Sequence, residues 1–305
     1  MNPAYHRWVE LRQLRYLVAI ADHENLGRAA RSLYLTQPAL SYALKGLESR
    51  LGVRLFDRHP AGVAPTPAGV EVVRQARRVL SEADRLTGIA DRYRQPVGEL
   101  RIGFEASGAG DLAARVYAEH GRREPGTRLA LKRYDWGGEA AALRAGEVDV
   151  AFVWQPADLT GLAYRLVACR PRVVGMAAGH RLAESDVLSL SDVANQPLMW
   201  TRQAPREWVD WWAVNPRPDG SAPVWGATND NVEEMLDMVA AGSGICFAPE
   251  DLARYYDRPG LEWRPLSDAD PLHIVVAWRV GETRDSVTRF TALPSLGGAV
   301  VCRHD

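Results

Sequence analysis

Lysine is almost missing from this 305-residue chain: of its 37 basic residues only Lys45 and Lys132 are lysine. That bias reads as genomic base composition, so arginine richness alone is no evidence for phosphate binding. Cysteine is scarce too. Cys169, Cys246 and Cys302 lie far apart with no CxxC partner, which argues against a disulfide framework or a structural zinc site and for a reducing, cytoplasmic setting. No apolar run approaches the ~18–20 residues of a membrane helix. The opening MNPAYHRWVELRQLR carries charges where a signal peptide needs apolar residues, so neither export nor a membrane partner is expected. The seven histidines are scattered without ligand spacing, and neither Ser107 nor Ser243 sits in G-x-S-x-G, so no metal, no cofactor and no hydrolase chemistry is expected.

What is present is a soluble globular composition, with 47% hydrophobic and 25% charged residues. The length suits roughly two domains at about 150 residues each. The net charge of −1 hides an asymmetry: residues 1–94 hold 15 Lys+Arg against 9 Asp+Glu (+6), and the remainder holds 22 against 29 (−7). A basic front on an acidic body suggests that only the front meets a polyanion.

That front reads as short helices with tight breaks. Leu11, Leu14, Val18 and Ala21 form one apolar stripe. Asn25 can cap a second helix over Leu26–Leu33, where Ala29 and Ala30 allow close approach. Thr36 can cap a third, with Pro38 in the first turn, where a missing N–H costs nothing. Leu40, Leu44, Leu47 and Leu51 then form a stripe ended by Gly52, and the opposite face shows Gln37, Ser41, Tyr42 and Lys45. The short break at Tyr34-Leu35 is the spacing of a helix-turn-helix, whose second helix enters the major groove. Gln37 suits adenine, Ser41 several bases or a phosphate, and Lys45 guanine or phosphate. An ordinary helical bundle with a solvated polar face remains the alternative. Residues 53–66 hold two β-prone stretches around a Pro/Gly turn, a candidate wing. From Pro67 to Arg94 Val73, Ala76, Leu80, Ala83, Thr87 and Ala90 give a long seam that either pairs with a second copy or packs on its own domain.

The rest alternates strands and helices. Strands are expected at 100–104, 128–133 and 148–154, with helices from Asp111 and over Glu139–Ala145, giving βαβαβ and a parallel sheet. A second set follows at 172–178, 197–200 and 244–249 with a helix at 231–241, then a last apolar strand at 272–278. Pro-bearing stretches near 170–171 and 265–271 look like two crossings between lobes.

The order of residues in the front segment carries a more specific signal. Ala29-Ala30, Thr36 to Ser41 (TQPALS), Leu47-Glu48, Leu51-Gly52, Leu55 to Arg58 (LFDR) and Thr66 to Gly69 (TPAG) closely resemble the N-terminal domain of LysR-type transcriptional regulators. More weakly, LRIGF, GEVDVAFV and VAAGSGICFAPE are similar to that family's effector domain. The resemblance implies a mixed α/β architecture: a winged helix-turn-helix over 10–66, a dimerising linker helix over 67–95, and a two-lobed effector domain similar to periplasmic binding proteins over 96–305. Lobe I would comprise 96–169 and 272–305, and lobe II 170–271. It also implies promoter DNA, a small-molecule effector, further copies of the chain (a dimer or tetramer) and RNA polymerase as partners. DNA contacts then fall on Thr36, Gln37, Pro38, Ser41, Tyr42, Lys45 and Arg58, the last in either a phosphate contact or an internal ion pair. Departures are Ala61-Gly62 where the wing usually carries arginines, and Tyr42-Ala43 where polar or basic residues are common. The family's usual start falls at Glu10. Valine codons can initiate in bacteria, so Val9 is the expected native start, and N-terminal sequencing that reads Met1 or Asn2 would refute this.

An effector is expected between the lobes. Ser107 and Gly108, in the loop before the helix at Asp111, can favour a carboxylate through N–H groups and the helix dipole, although Ser107 also suits a simple cap. Thr201 and Arg202 follow a strand, and Arg202 is either an anion clamp or a surface residue. Thr228 and Asn229 suit capping of the next helix or ligand contact. Nine of the ten tryptophans lie beyond residue 95; Trp154 and Trp200 stand just past strand ends, where an aromatic would favour a flat or apolar effector, against core packing for most of the others. Two other classes compete. Gly108 to Ala113 satisfies the dinucleotide pattern G-x-G-x-x-A with Asp135 after the next strand, which an oxidoreductase would use, but Glu105 to Ser107 delay the turn. A solute-binding protein shares the two lobes but has no use for a helix-turn-helix.

Overall fold

The computed structural model describes residues 9–59, 62–94, 98–297 and 300. The chain divides after Ala90 into two compact units.

The first unit begins with three helices, α1 (Leu11–His23), α2 (Leu26–Ser32) and α3 (Gln37–Leu51). Each start has a local cause. The Gln13 side chain accepts the Glu10 N–H, Asn25 accepts from Gly27 and Arg28, and Thr36 accepts from Ala39. Gly52 ends α3 in the left-handed region, at φ 71°. On α1 the buried residues are Leu14, Leu17 and Ile20, while Leu11 is exposed and Val18 and Ala21 are half-buried. The stripe is thus rotated from the expected one, because neighbouring apolar positions such as Leu17 and Val18 let the sequence fit two registers. On α3 Leu40, Leu44 and Leu47 are buried as expected, and Leu51 is not.

A hairpin follows, β1 (Phe56–His59) antiparallel to β2 (Gly62–Pro65). Of the expected wing turn, Ala61 lies outside the described residues. The Glu48 carboxylate accepts the N–H groups of Leu55 and Phe56 at 2.7 and 3.2 Å, tying the hairpin to α3. Helix α4 (Pro67–Arg94) starts where Thr66 accepts from Gly69 and donates to Arg54 O. A Cβ at Gly69 would stand 1.9 Å from Leu55 O, so only glycine permits this approach. Val73 and Ala76 are buried in the first unit's own core and Leu80 packs against it, whereas Val70, Val79 and Leu86 are exposed. The side chains of Thr87 and Ala90 lie outside the described set.

The second unit holds two main sheets. The larger has the order β4 (Arg128–Tyr134), β3 (Glu99–Glu105), β5 (Val150–Trp154), β12 (Leu272–Arg279), β6 (Leu162–Arg170). Strand β3 is parallel to β4 and β5, with α5 (Asp111–Arg123) and α6 (Glu139–Ala145) as crossovers. Strand β12 returns antiparallel between β5 and β6. The smaller sheet, β10 (Cys246–Pro249), β7 (Arg172–Ala177), β11 (Leu261–Pro265), is antiparallel, and β8 (Leu198–Trp200) pairs β9 (Trp225–Thr228) beside it. Helices α7 (Arg206–Ala213), α8 (Val232–Ala240), α9 (Glu250–Tyr255) and α10 (Asp285–Thr291) complete the unit. The chain passes between the two main sheets at Pro171, from β6 to β7, and again between Pro265 and Leu272, from β11 to β12. Strands β6 and β11 lie at sheet edges; their exposed or half-buried Tyr164, Arg165 and Arg264 break the apolar run that would announce a strand.

Asp149 is fully buried before β5. It accepts from Arg101 (Nε 3.2 Å, Nη2 2.9 Å) and Arg284 (2.8 Å) and pairs with Arg279 at 3.5 Å, while Glu282 pairs with both Arg279 and Arg284. Cys169 is disulfide-bonded, which corrects the expectation of unlinked thiols: sequence separation says nothing about which distant residues a fold brings together. Cys246 is a free buried thiol, its pKa pushed up to about 12 by desolvation, and Cys302 lies outside the described residues. Among the described residues no helix is long and apolar enough to cross a membrane.

Candidate nucleic-acid interface and ligand cavity

Burying Leu40, Leu44 and Leu47 turns the other face of α3 outward. Gln37, Pro38 and Lys45 are exposed, Tyr42 is 82% exposed and Ser41 is half-buried. Thr36, also exposed, caps the helix, so four of these side chains project from the first two turns. Arg58 is exposed, and its Nη2 donates to Ser41 Oγ at 2.7 Å, fixing that hydroxyl from the hairpin. Gln37 Oε1 lies where a Cβ on Gly27 would come within 3.3 Å, so the bare α2 backbone leaves room for the amide. Sequence reasoning passed over Arg31, exposed on α2, and Tyr34, 97% exposed at the turn with φ 55°. A charged or aromatic residue on a short helix or turn gives no periodic signal, which is why spacing missed them.

In the second unit a cavity with about 530 Å³ of empty space, its open mouth included, is lined almost wholly by apolar groups. Strand β5 delivers Trp154, β8 delivers Trp200 with Thr201 next to it, α7 delivers Trp208 and Trp212 one turn apart, and β10 delivers Phe247. Trp136 arrives from the loop after β4 and Asn229 from the end of β9. Four indoles form a chain: Trp136–Trp208, Trp208–Trp212 and Trp212–Trp154 have ring centroids 5.8, 5.6 and 5.9 Å apart. Two of the lining indoles are anchored, Trp154 Nε1 to Gly108 O at 2.7 Å and Trp200 Nε1 to Gly226 O at 2.9 Å.

Of the residues expected to hold an effector, Trp154, Trp200 and Thr201 line this cavity, and Ser107, Gly108, Arg202 and Thr228 are not among its walls. The Ser107 hydroxyl is buried without a partner among the described residues, and Gly108 serves Trp154 through its carbonyl. Arg202 is exposed and stacks over Trp200 at 5.4 Å. Capping of α8 falls to Asn231, which accepts from Glu234, so Asn229 is free to face the cavity. The buried Asp251 carboxylate lies close to Gly110 at the start of α5, 2.4 Å from where a Cβ would be, and Arg170 donates to it; no side chain caps the helix itself. Trp136, Trp208, Trp212 and Phe247 were missed as walls because a buried aromatic reads as core in any sequence; the i, i+4 spacing of Trp208 and Trp212 was the available clue.

Beneath Trp136 and Trp154 lies an acid pair. Glu105 ends β3 and accepts the Gly137 N–H at 2.8 Å; Glu139 starts α6 and is fully buried. Burial and mutual repulsion raise Glu105 well above the ordinary carboxylate range. Burial likewise pushes Glu139 up to about 8, and the Trp154 backbone dipole offsets this only in part.

A helix-turn-helix with a free polar face, joined in one chain to a two-sheet unit holding an aromatic-walled cavity, defines a ligand-responsive DNA-binding protein. Residues 11–70 match the description "Bacterial regulatory helix-turn-helix protein, lysR family", and residues 93–292 match "LysR substrate binding domain". The chain belongs to the LysR family of transcriptional regulators. It is 27% identical over 292 residues to the Hca operon transcriptional activator HcaR of Escherichia coli, covering 93% of this chain and 97% of that protein. It is 29% identical over 291 residues to the regulator BudR of Raoultella terrigena, covering 92% and 99%. Full-length BenM is similar in structure, with TM-score 0.52, 26% identity, and 93% of this chain and 97% of that one covered. CbnR complexed with its target DNA shares the fold, with TM-score 0.54, 20% identity, and 95% and 99% covered. The curated relatives are regulators, not enzymes, which overturns the oxidoreductase alternative.

Proposed function

We propose that this regulator reads a promoter with α3 in the major groove, Gln37, Ser41 and Lys45 facing base edges, Thr36, Pro38 and Tyr42 beside them, and Arg58 holding Ser41 in register. The observation that carries this is the outward face of α3: its polar residues are exposed while its leucines are buried. The exposed Val70, Val79 and Leu86 of α4 support pairing with a second copy, placing two reading heads about one DNA turn apart or a multiple of it. Tetramers and contact with RNA polymerase are the wider assembly we infer, in the cytoplasm. The cavity takes a small-molecule effector; it acts only if one arrangement of the two sheets binds it better than another.

Replacing Gln37 with alanine is expected to cost about 1–3 kcal/mol of discrimination between the operator and a mismatched site. Binding to unrelated duplex at low salt should be unchanged, because phosphate contacts supply it. Fluorescence anisotropy with the upstream intergenic fragment and a scrambled control reads both; unchanged specific affinity would remove α3 from the reading role.

A further inference from the structure

We propose that the cavity of the ligand-binding unit selects an uncharged, flat aromatic molecule bearing a hydrogen-bond acceptor, such as a carboxamide or ketone, and rejects aromatic carboxylates. This rests on the cavity being the effector site and adds the chemical class of its ligand. Three observations carry it.

The walls offer rings and no charge. Trp136, Trp154, Trp200, Trp208, Trp212 and Phe247 supply the aromatic surface, Thr201 and Asn229 the polar edge, and no Arg, Lys or His is among the lining residues. Flat ligands gain from offset and edge-to-face contact with such rings. Second, donors stand unused. The indole N–H groups of Trp136, Trp208 and Trp212, each more than nine-tenths buried, have no partner among the described residues. A buried donor without a partner is costly, and a ligand carbonyl that meets one removes the cost. Third, the surroundings oppose an anion. The Asp251 carboxylate already lies close to Gly110 at the start of α5, and the loop N–H groups of Gly108 and Gly110 already donate to Glu105 O and Ser107 O.

Two buried arginines lie near, and neither lines the cavity. Arg172 donates to the carbonyls of Asp270, Trp211 and Trp212 and stacks on Trp211 at 3.8 Å. Arg217 stacks over Phe247 at 5.3 Å. Arg217 has Nε and Nη1 unpartnered among the described residues, but it stands against Phe247 and is not among the walls, so a carboxylate in the cavity would lose its hydration with no cation in the lining to meet it, which is far costlier than burying a neutral amide.

The test uses the full-length protein and matched probes: benzamide against benzoate, and indole-3-carboxamide against indole-3-carboxylate. Titration calorimetry and quenching of the indole emission should show each amide binding at least about tenfold more tightly than its acid, a difference of about 1.4 kcal/mol. Trp212→Phe, which keeps a ring and removes the N–H, should narrow that gap, while the wild-type comparison stands without any variant. Equal or tighter binding of the acids would overturn the proposal and make Arg217 the anion's partner, and failure of all four probes to bind saturably would overturn it as well. Amide preference without any change in operator affinity would uphold the ligand class and sink the effector role.

Discussion

Replacing Asp149 with alanine is expected to destabilise the ligand-binding unit by about 3–5 kcal/mol, the usual consequence of removing one member of a buried ion cluster. The carboxylate is fully buried and serves Arg101 and Arg284 by hydrogen bonds and Arg279 by charge, while Arg279 also donates to the carbonyls of Leu143 and Val148. With Asp149 gone, Glu282 still pairs with both Arg279 and Arg284, but the end of α6, the start of β5 and the end of β12 lose their common tie. Urea melts should show a lower midpoint with an unchanged slope. A loss below about 1 kcal/mol, the range of exposed pairs such as Arg128–Glu99, would contradict the assignment. The arginines beside them hold Asp149 below its ordinary range and lower Glu282 to about 2. Folding thus binds fewer protons at these carboxyls, so their stabilisation is present above the unfolded values near 4 and fades as the pH falls toward 2.

The second large effect has the opposite sign. Glu139 is held protonated by burial, at about 8 in the folded chain against an ordinary 4.5. Between those values the folded state binds more protons than the unfolded one. Its contribution is fully present below about 4.5, declines across the window, and is gone above about 8. The wild-type protein should therefore lose stability on the order of a few kcal/mol between pH 5 and 8.5 from this site. Glu139→Gln, which keeps the shape and cannot ionise, should be flatter over the window and more stable at its alkaline end. Thermal melts at half-unit steps compare the two; parallel curves would show that Glu139 does not titrate there.

Much of the first unit was legible because its devices are local. Asn25, Thr36, Pro38 and Gly52 announce helix ends by chemistry that depends on few neighbours, and the bonds from Glu48 and Thr66 explain why Leu47-Glu48 and Thr66 to Gly69 recur as motifs. The α1 register was not legible, since Leu17 and Val18 are equally apolar and only packing chooses between them. In the second unit β3 and β5 followed from buried apolar runs and β4, an edge strand with no buried residue, from its short run Leu129-Ala130-Leu131, whereas β6 and β11, also at sheet edges, were missed, and the antiparallel return of β12 is a matter of topology. The ligand cavity was half legible. Strand-end tryptophans could be placed, but the carboxylate beside Gly110 could not be foreseen, because Asp251 comes from 141 positions along the chain.

The double fastening of the hairpin to α3, through Glu48 and through Arg58 on Ser41, also bears on how such a protein diversifies. The reading head is one prefabricated block whose foundations lie on the leucine side. With α3 in the reading role proposed for it, new promoters would be acquired by re-lettering Gln37, Tyr42 and Lys45 alone, with no need to re-solve the architecture that presents them.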